Sequence, residues 1–147
     1  EAYRQYYQTL IDELREKHKF TGARIAQPQN WYTFSAGTSG VPVSAVFAGD
    51  GTARVELYID LGVAEENKAL FDWLRNQKDS IESQFGFALS WERLDGKQAC
   101  RIYVSRSGSI ESSMEELEQV RQWQIDKLLL FKKLFAPLVK VGLKQIA

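Results

Sequence analysis

The chain has 147 residues, 44% hydrophobic and 26% charged, and its 19 basic and 19 acidic side chains cancel to a formal net charge of zero. That length and balance fit one globular domain able to bury roughly two-thirds of its unfolded surface. They exclude collagen-like and low-complexity chains, and a chain that as a whole seeks a polyanion. The single cysteine, Cys100, excludes an internal disulfide framework and points to a reducing, cytoplasmic setting.

Tyr3, Tyr6, Tyr7, Leu10, Ile11 and Leu14 recur at steps of three and four, which predicts a helix from Glu1 to about Lys17. A polar connector from Phe20 to Asn30 follows. Trp31 to Ala36 and Val41 to Ala48 read as strands around the loop Gly37-Thr38-Ser39-Gly40, and Gly49-Asp50-Gly51 turns the chain again. The next stretch, Arg54-Val55-Glu56-Leu57-Tyr58-Ile59-Asp60, alternates strictly, with Val55, Leu57 and Ile59 on one side. This is the period of a half-buried strand, and its place in the chain makes it the expected centre of the sheet. Connections this short allow only antiparallel pairing.

A second helix is expected from about Ala64 to Phe85, with Leu70, Phe71, Leu74, Ile81 and Phe85 as its apolar stripe and Gly86 as its cap. Leu89–Leu94 and Gln98–Arg106 read as strands joined at Asp95-Gly96, a hairpin signal. Ser113-Met114-Glu115-Glu116 is a capping-box pattern opening a long helix. That helix is expected to run to about Phe135 and to break or kink before Pro137. The expected fold is therefore α+β, an antiparallel five-stranded sheet packed with helices in the order αβββαββα. Residues 1–147 read as a single domain. The opening Glu1-Ala2, with no initiator methionine, adds the expectation of a piece cut from a longer protein.

The order of elements is also that of restriction-endonuclease-like cores, whose chemistry needs an acid on one strand and Glu-x-Lys on the next to hold Mg²⁺. Here Asp50 is followed by Glu56-Leu57-Tyr58, with no lysine at the required step. The sequence contains no Cys/His metal cluster, phosphate-binding glycine loop or nucleophile elbow. Cys100 lies in the alternating run Cys100, Ile102, Val104 and reads as a small buried hydrophobe, and the one histidine, His18, is remote from it in sequence. We therefore expect no catalytic residue, no metal site and no cofactor. No apolar run approaches the roughly 18 residues of a membrane span.

What remains is the polar side of the sheet. Ala99, Arg101, Tyr103 and Ser105 are placed to share a side with Arg54, Glu56, Tyr58 and Asp60. Arginines interleaved with tyrosines on an open sheet stack bases and grip phosphates. The same residues also make cross-strand ion pairs, at about 0.2–1 kcal/mol each, so the face is either a binding surface or a structural ladder. Trp31-Tyr32 is either an aromatic recognition pair or a core plug at the start of a strand. From Lys127 onward there are five lysines and no acid, a pattern that either a phosphate partner or the helix dipole explains.

Gln27-Pro28-Gln29-Asn30-Trp31-Tyr32, Arg54-Val55-Glu56-Leu57-Tyr58-Ile59-Asp60, Asn67-Lys68-Ala69-Leu70-Phe71 and Trp91-Glu92-Arg93-Leu94-Asp95 resemble a prokaryotic domain family of unknown function. The resemblance covers roughly residues 2 to 140. It implies a domain found C-terminal to nuclease-like or other DNA-associated domains, and it carries over no catalytic residue. The resulting expectation is a non-catalytic accessory domain whose Arg54, Tyr58 and Arg101, with Trp31 and Tyr32 at the edge, contact nucleic acid beside an upstream nuclease-like domain. The alternatives are a protein-interaction or homodimerisation module and, third, a nuclease-like fold with a degenerate site.

Overall fold

Helix α1 (Ala2–Glu16) buries Tyr6, Tyr7, Leu10, Ile11 and Leu14, the stripe that its three- and four-residue spacing predicts. The computed structural model describes all residues, 1–147. After α1 come β1 (Trp31–Phe34), β2 (Val43–Phe47) and β3 (Thr52–Ile59), then α2 (Ala64–Arg75) and α3 (Lys78–Phe85). β4 (Ser90–Glu92), β5 (Cys100–Ser107) and α4 (Met114–Ile146) complete the chain. The strands form one sheet in the order β1-β2-β3-β5-β4, antiparallel at every pairing. The fold is α+β with an antiparallel five-stranded sheet, as the periodicities predict, and β3 lies at its centre.

Alternation along the strands divides the sheet into two unlike faces. Val43, Ala45 and Phe47 of β2, Ala53, Val55, Leu57 and Ile59 of β3, and Cys100 and Ile102 of β5 are all buried in one core. Val120, Ile125, Leu128, Phe131, Phe135 and Val139 of α4 close that core from above, with α1 and α2 beside them. Burying a large apolar side chain contributes roughly 1.5–3 kcal/mol, so this side of the sheet holds the fold together. Buried Gln124 ties α4 both to α1 and to the sheet: Tyr6 Oη donates to its Oε1 at 2.6 Å, and its Nε2 donates to the Arg54 carbonyl at 3.2 Å.

Three expectations need correction. The helix expected over 64–85 is two helices. Gln77 N bonds Leu74 O at 2.9 Å, and its side-chain amide takes the Trp73 carbonyl that a continuous helix would have given to its N–H. The break lets Phe85 of α3 meet Phe131 and Phe135, at centroid distances of 5.1 and 5.2 Å.

Nor does α4 stop before Pro137, since it runs through that residue to Ile146. Phe135, Val139 and Gly142 are buried on either side of the proline, and their packing outweighs the lost hydrogen bond. Gly142 sits so close to α2 that a Cβ there would come within 2.8 Å of Leu70 Cδ1 and Trp73 Cε3.

The β4–β5 connection is longer than a two-residue turn at Asp95-Gly96. The left-handed residue is Leu94 at φ 56°, and Lys97 N closes the turn on Leu94 O. Lys68 Nζ stabilises this loop from α2 by donating to the carbonyls of Arg93, Leu94 and Ala99 at 2.6–3.0 Å.

Candidate functional site

The other face of the sheet carries no helix. Strand register arranges its side chains in three rows. Trp31, Val46, Arg54 and Ser105 stand opposite one another across β1, β2, β3 and β5. The next row is Thr33, Ser44, Glu56, Tyr103 and Ser90, and the third is Tyr58, Arg101 and Glu92. Most of these residues, though not Ser105, Tyr103, Ser90 or Glu92, join Asn30, Pro42 and the β2–β3 turn in walling a cavity of about 840 Å³. Trp31 and Tyr58 stand at its rim, 47% and 39% exposed, while Glu56 forms its floor at 6%.

The charges are partitioned with care. Arg54 Nη2 donates to Asp50 Oδ2 at 3.0 Å, and Arg101 Nε donates to Glu92 Oε1 at 2.5 Å. Tyr103 Oη donates to the other oxygen of Glu92 at 3.2 Å. Both guanidinium groups also lie over the Tyr103 ring, at 4.3 and 5.8 Å from its centroid. Glu56 is the carboxylate left over. Its Oε1 is 3.9 Å from Arg54 Nη1 and 3.9 Å from Arg101 Nη1, beyond hydrogen-bond distance of either. Burial raises its pKa, and the two arginines oppose that rise only in part.

Four of the five residues singled out from sequence meet here: Arg54, Tyr58, Arg101 and Trp31. Tyr32 does not belong to this face. Neighbouring residues of a strand point to opposite sides, so Tyr32 turns to the core against Tyr7 and Phe34, and its hydroxyl donates to Ile25 O. Trp31 conversely is no core plug. Asp60, expected in the charged row, has left it. Its Oδ1 accepts from Gln98 Nε2, Asn67 Nδ2 and Gly62 N, which fastens the β3–α2 turn.

The late lysines do not converge on the site or on one another. Lys127 covers Phe87, Lys132 covers Phe20, and Lys140 approaches Gly37. Ser44, Thr33 and Glu92 belong to the site but escaped the sequence reading. The parity of Trp31 with Thr33, and of Ser44 with Val46, was the signal that could have found the first two; Glu92 depends on the β4–β5 register.

Asp50 and Glu56, the acids tested against the nuclease pattern, both lie beside Arg54, and no group of three or more His, Cys, Asp or Glu side chains gathers as a metal site. Cys100 is buried, and its thiol contacts the Asn67 carbonyl at 3.7 Å. No helix is long and apolar enough to cross a membrane.

Two of the family-like motifs, around Asn67 and Arg93, fasten the loops that flank the sheet. Asn67, fully buried, accepts from Leu61 N through Oδ1 at 2.6 Å and donates to Asp60 Oδ1 and Gln98 O. Arg93 holds Asp72 with two bonds, at 2.9 and 3.1 Å. No curated protein and no solved structure matches the chain significantly. The family model described as a domain of unknown function, DUF4268, matches residues 2–139, and the chain belongs to that family.

Proposed function

We propose that this domain is a non-catalytic recognition module whose open sheet face binds a short single-stranded segment of nucleic acid, as the accessory part of a larger DNA-directed protein. The observation that carries this reading is the cavity itself, a polar floor between two exposed aromatic side chains, Trp31 and Tyr58. Register separates those two by two strand spacings and four residues, roughly 16 Å at the usual spacings, room for two or three stacked bases. Aromatic platforms on an open sheet bind single strands by stacking, worth roughly 1–3 kcal/mol per base. Because Arg54 and Arg101 already hold Asp50 and Glu92, stacking and base-edge contacts carry the binding, and phosphate contacts add little.

Fluorescence anisotropy with labelled hexanucleotides tests this. Trp31→Ala and Tyr58→Ala should each weaken binding about 5- to 100-fold, with only a shallow fall as salt rises. Binding that neither variant alters, or no binding at all, rejects the reading.

A protein-interaction or dimerisation role is the second reading. The internal pairing of Arg54 with Asp50 and of Arg101 with Glu92 favours it, because it leaves little free charge beside the exposed Trp31. Sedimentation of the wild type against Trp31→Ala separates the two.

A further inference from the structure

The row of polar atoms on the cavity floor has a hydrogen-bonding pattern of its own. Arg54 spends Nη2 on Asp50 and Nε on Thr52, which leaves Nη1 without an acceptor. Arg101 spends Nε on Glu92, and its Nη1 is likewise free. Between them Glu56 Oε1 is 3.9 Å from each and accepts no hydrogen bond from the protein. The one fully enclosed side-chain atom without a partner is Arg121 Nε, elsewhere, so all three groups remain open to the cavity. The floor therefore reads donor, acceptor, donor along β3, with Arg54 two residues before Glu56 and Arg101 opposite Tyr58, two residues after it.

The geometry points to an imide edge as the complement of this floor: the carbonyl, N–H, carbonyl sequence that uracil and thymine present. The N–H lies against the Glu56 carboxylate and the two carbonyls against the Arg54 and Arg101 guanidinium groups. The ring stands on edge beside Tyr58, within the wall that Trp31 completes. This assignment rests on the proposed single-strand binding and names the bases which that face selects.

The other bases fit less well, for reasons of the same chemistry. Cytosine offers donor, acceptor, acceptor, which sets its ring nitrogen lone pair against the carboxylate. Guanine offers acceptor, donor, donor, which sets its amino group against one guanidinium. Adenine has no carbonyl, and its ring-nitrogen lone pair too would face the carboxylate. A well-made pair of base-edge contacts is worth about 1–3 kcal/mol of discrimination.

The test compares (dT)6, (dC)6, (dA)6 and a hexamer of N3-methylthymidine, which has lost the imide N–H, on the unaltered chain. We expect (dT)6 to bind at least about tenfold more tightly than (dC)6 or (dA)6, and N3-methylation to abolish the preference. Glu56→Met, which keeps side-chain length and removes the carboxylate, should bring (dT)6 down to the level of (dC)6 while the melting curve shows the fold intact. Equal binding of the three unmodified hexamers, still lost in Trp31→Ala, overturns the imide assignment and leaves the recognition face standing. A thymine preference that survives N3-methylation overturns it too. No measurable binding of any hexamer overturns both.

Discussion

Glu56 Oε1 lies 3.9 Å from Arg101 Nη1 across the β3–β5 ladder, near enough to feel the charge and too far to accept the hydrogen bond. Arg101 instead gives its Nε proton to Glu92, its direct partner on β4. An acid that is buried, flanked by cations and bonded to none of them costs the fold stability and is available to something else.

The first prediction follows from that cost. Burial raises the Glu56 pKa, with Glu92 adding to the rise and Arg101 and Arg54 opposing it. A carboxyl whose folded pKa exceeds its unfolded value binds its proton more tightly in the folded state. Its contribution is therefore favourable in acid and is lost as pH rises from the unfolded pKa through the folded one. Glu56→Gln should raise the melting temperature at neutral pH by a few degrees, and the gain should vanish in acid. Thermal melts of both proteins between pH 3 and 8, about the range needed to span both pKa values, check this. A lowered melting temperature at neutral pH would show that the arginines hold the carboxylate firmly after all. The proposed thymine binding should fall over the same acid range, because protonation discharges the carboxylate and leaves only a weaker carbonyl acceptor.

Asn67 is the second. It satisfies Leu61 N, Asp60 Oδ1 and Gln98 O at once from a fully buried position. Asn67→Ala strands at least the Leu61 amide, and an unpaired buried group costs about 1–3 kcal/mol. We expect a loss of about 2–4 kcal/mol in urea unfolding, with the proposed base-binding face still competent in the folded fraction.

The sheet was legible because the alternation of Val55, Leu57 and Ile59 with Arg54, Glu56 and Tyr58 is a one-dimensional signal. Which face stayed open was not, because that depends on where α4 lands. The charge partition was hidden for a related reason. Asp50 and Arg54 are close in sequence, but the Arg101–Glu92 pair requires the β4–β5 register, and the long loop from Arg93 to Ala99 sets that register. Tyr32 could have been assigned correctly by extending to β1 the alternation applied to β3. The helix break at Gln77 and the continuation through Pro137 were beyond local propensity, since they go with tertiary contacts: Phe85 with Phe131 and Phe135 in the first case, Gly142 with Leu70 and Trp73 in the second.

Two glycines make the third prediction, and they fail for different reasons. A Cβ at Gly40 would lie 2.8 Å from the Asp60 carbonyl oxygen, at φ +85°, so both backbone strain and a rigid neighbour oppose it. At Gly142 the neighbours are the Leu70 and Trp73 side chains at 2.8 Å, which shift only by loosening the α2–α4 contact. Gly142→Ala should cost about 1–3 kcal/mol by overpacking, and Gly40→Ala more. In a Gly142→Ala background, Trp73→Leu should recover part of the loss, whereas no single side-chain change should rescue Gly40→Ala.

Pro137 provides the last. It sits in the interior of a 33-residue helix, exposed, with buried Phe135 before it and buried Val139 after it. A proline in that position removes one backbone hydrogen bond and crowds the preceding turn, at a cost of about 3 kcal/mol relative to alanine. Because its ring is on the solvent side, replacing it gives up little packing. Pro137→Ala should therefore stabilise the domain by up to about 3 kcal/mol, read as a higher urea midpoint at unchanged m-value. If the proline instead sets a bend that Gly142 needs to reach Trp73, straightening the helix would pull that contact apart and the variant would melt lower. The sign of the change thus decides whether the residue is tolerated by α4 or required by it.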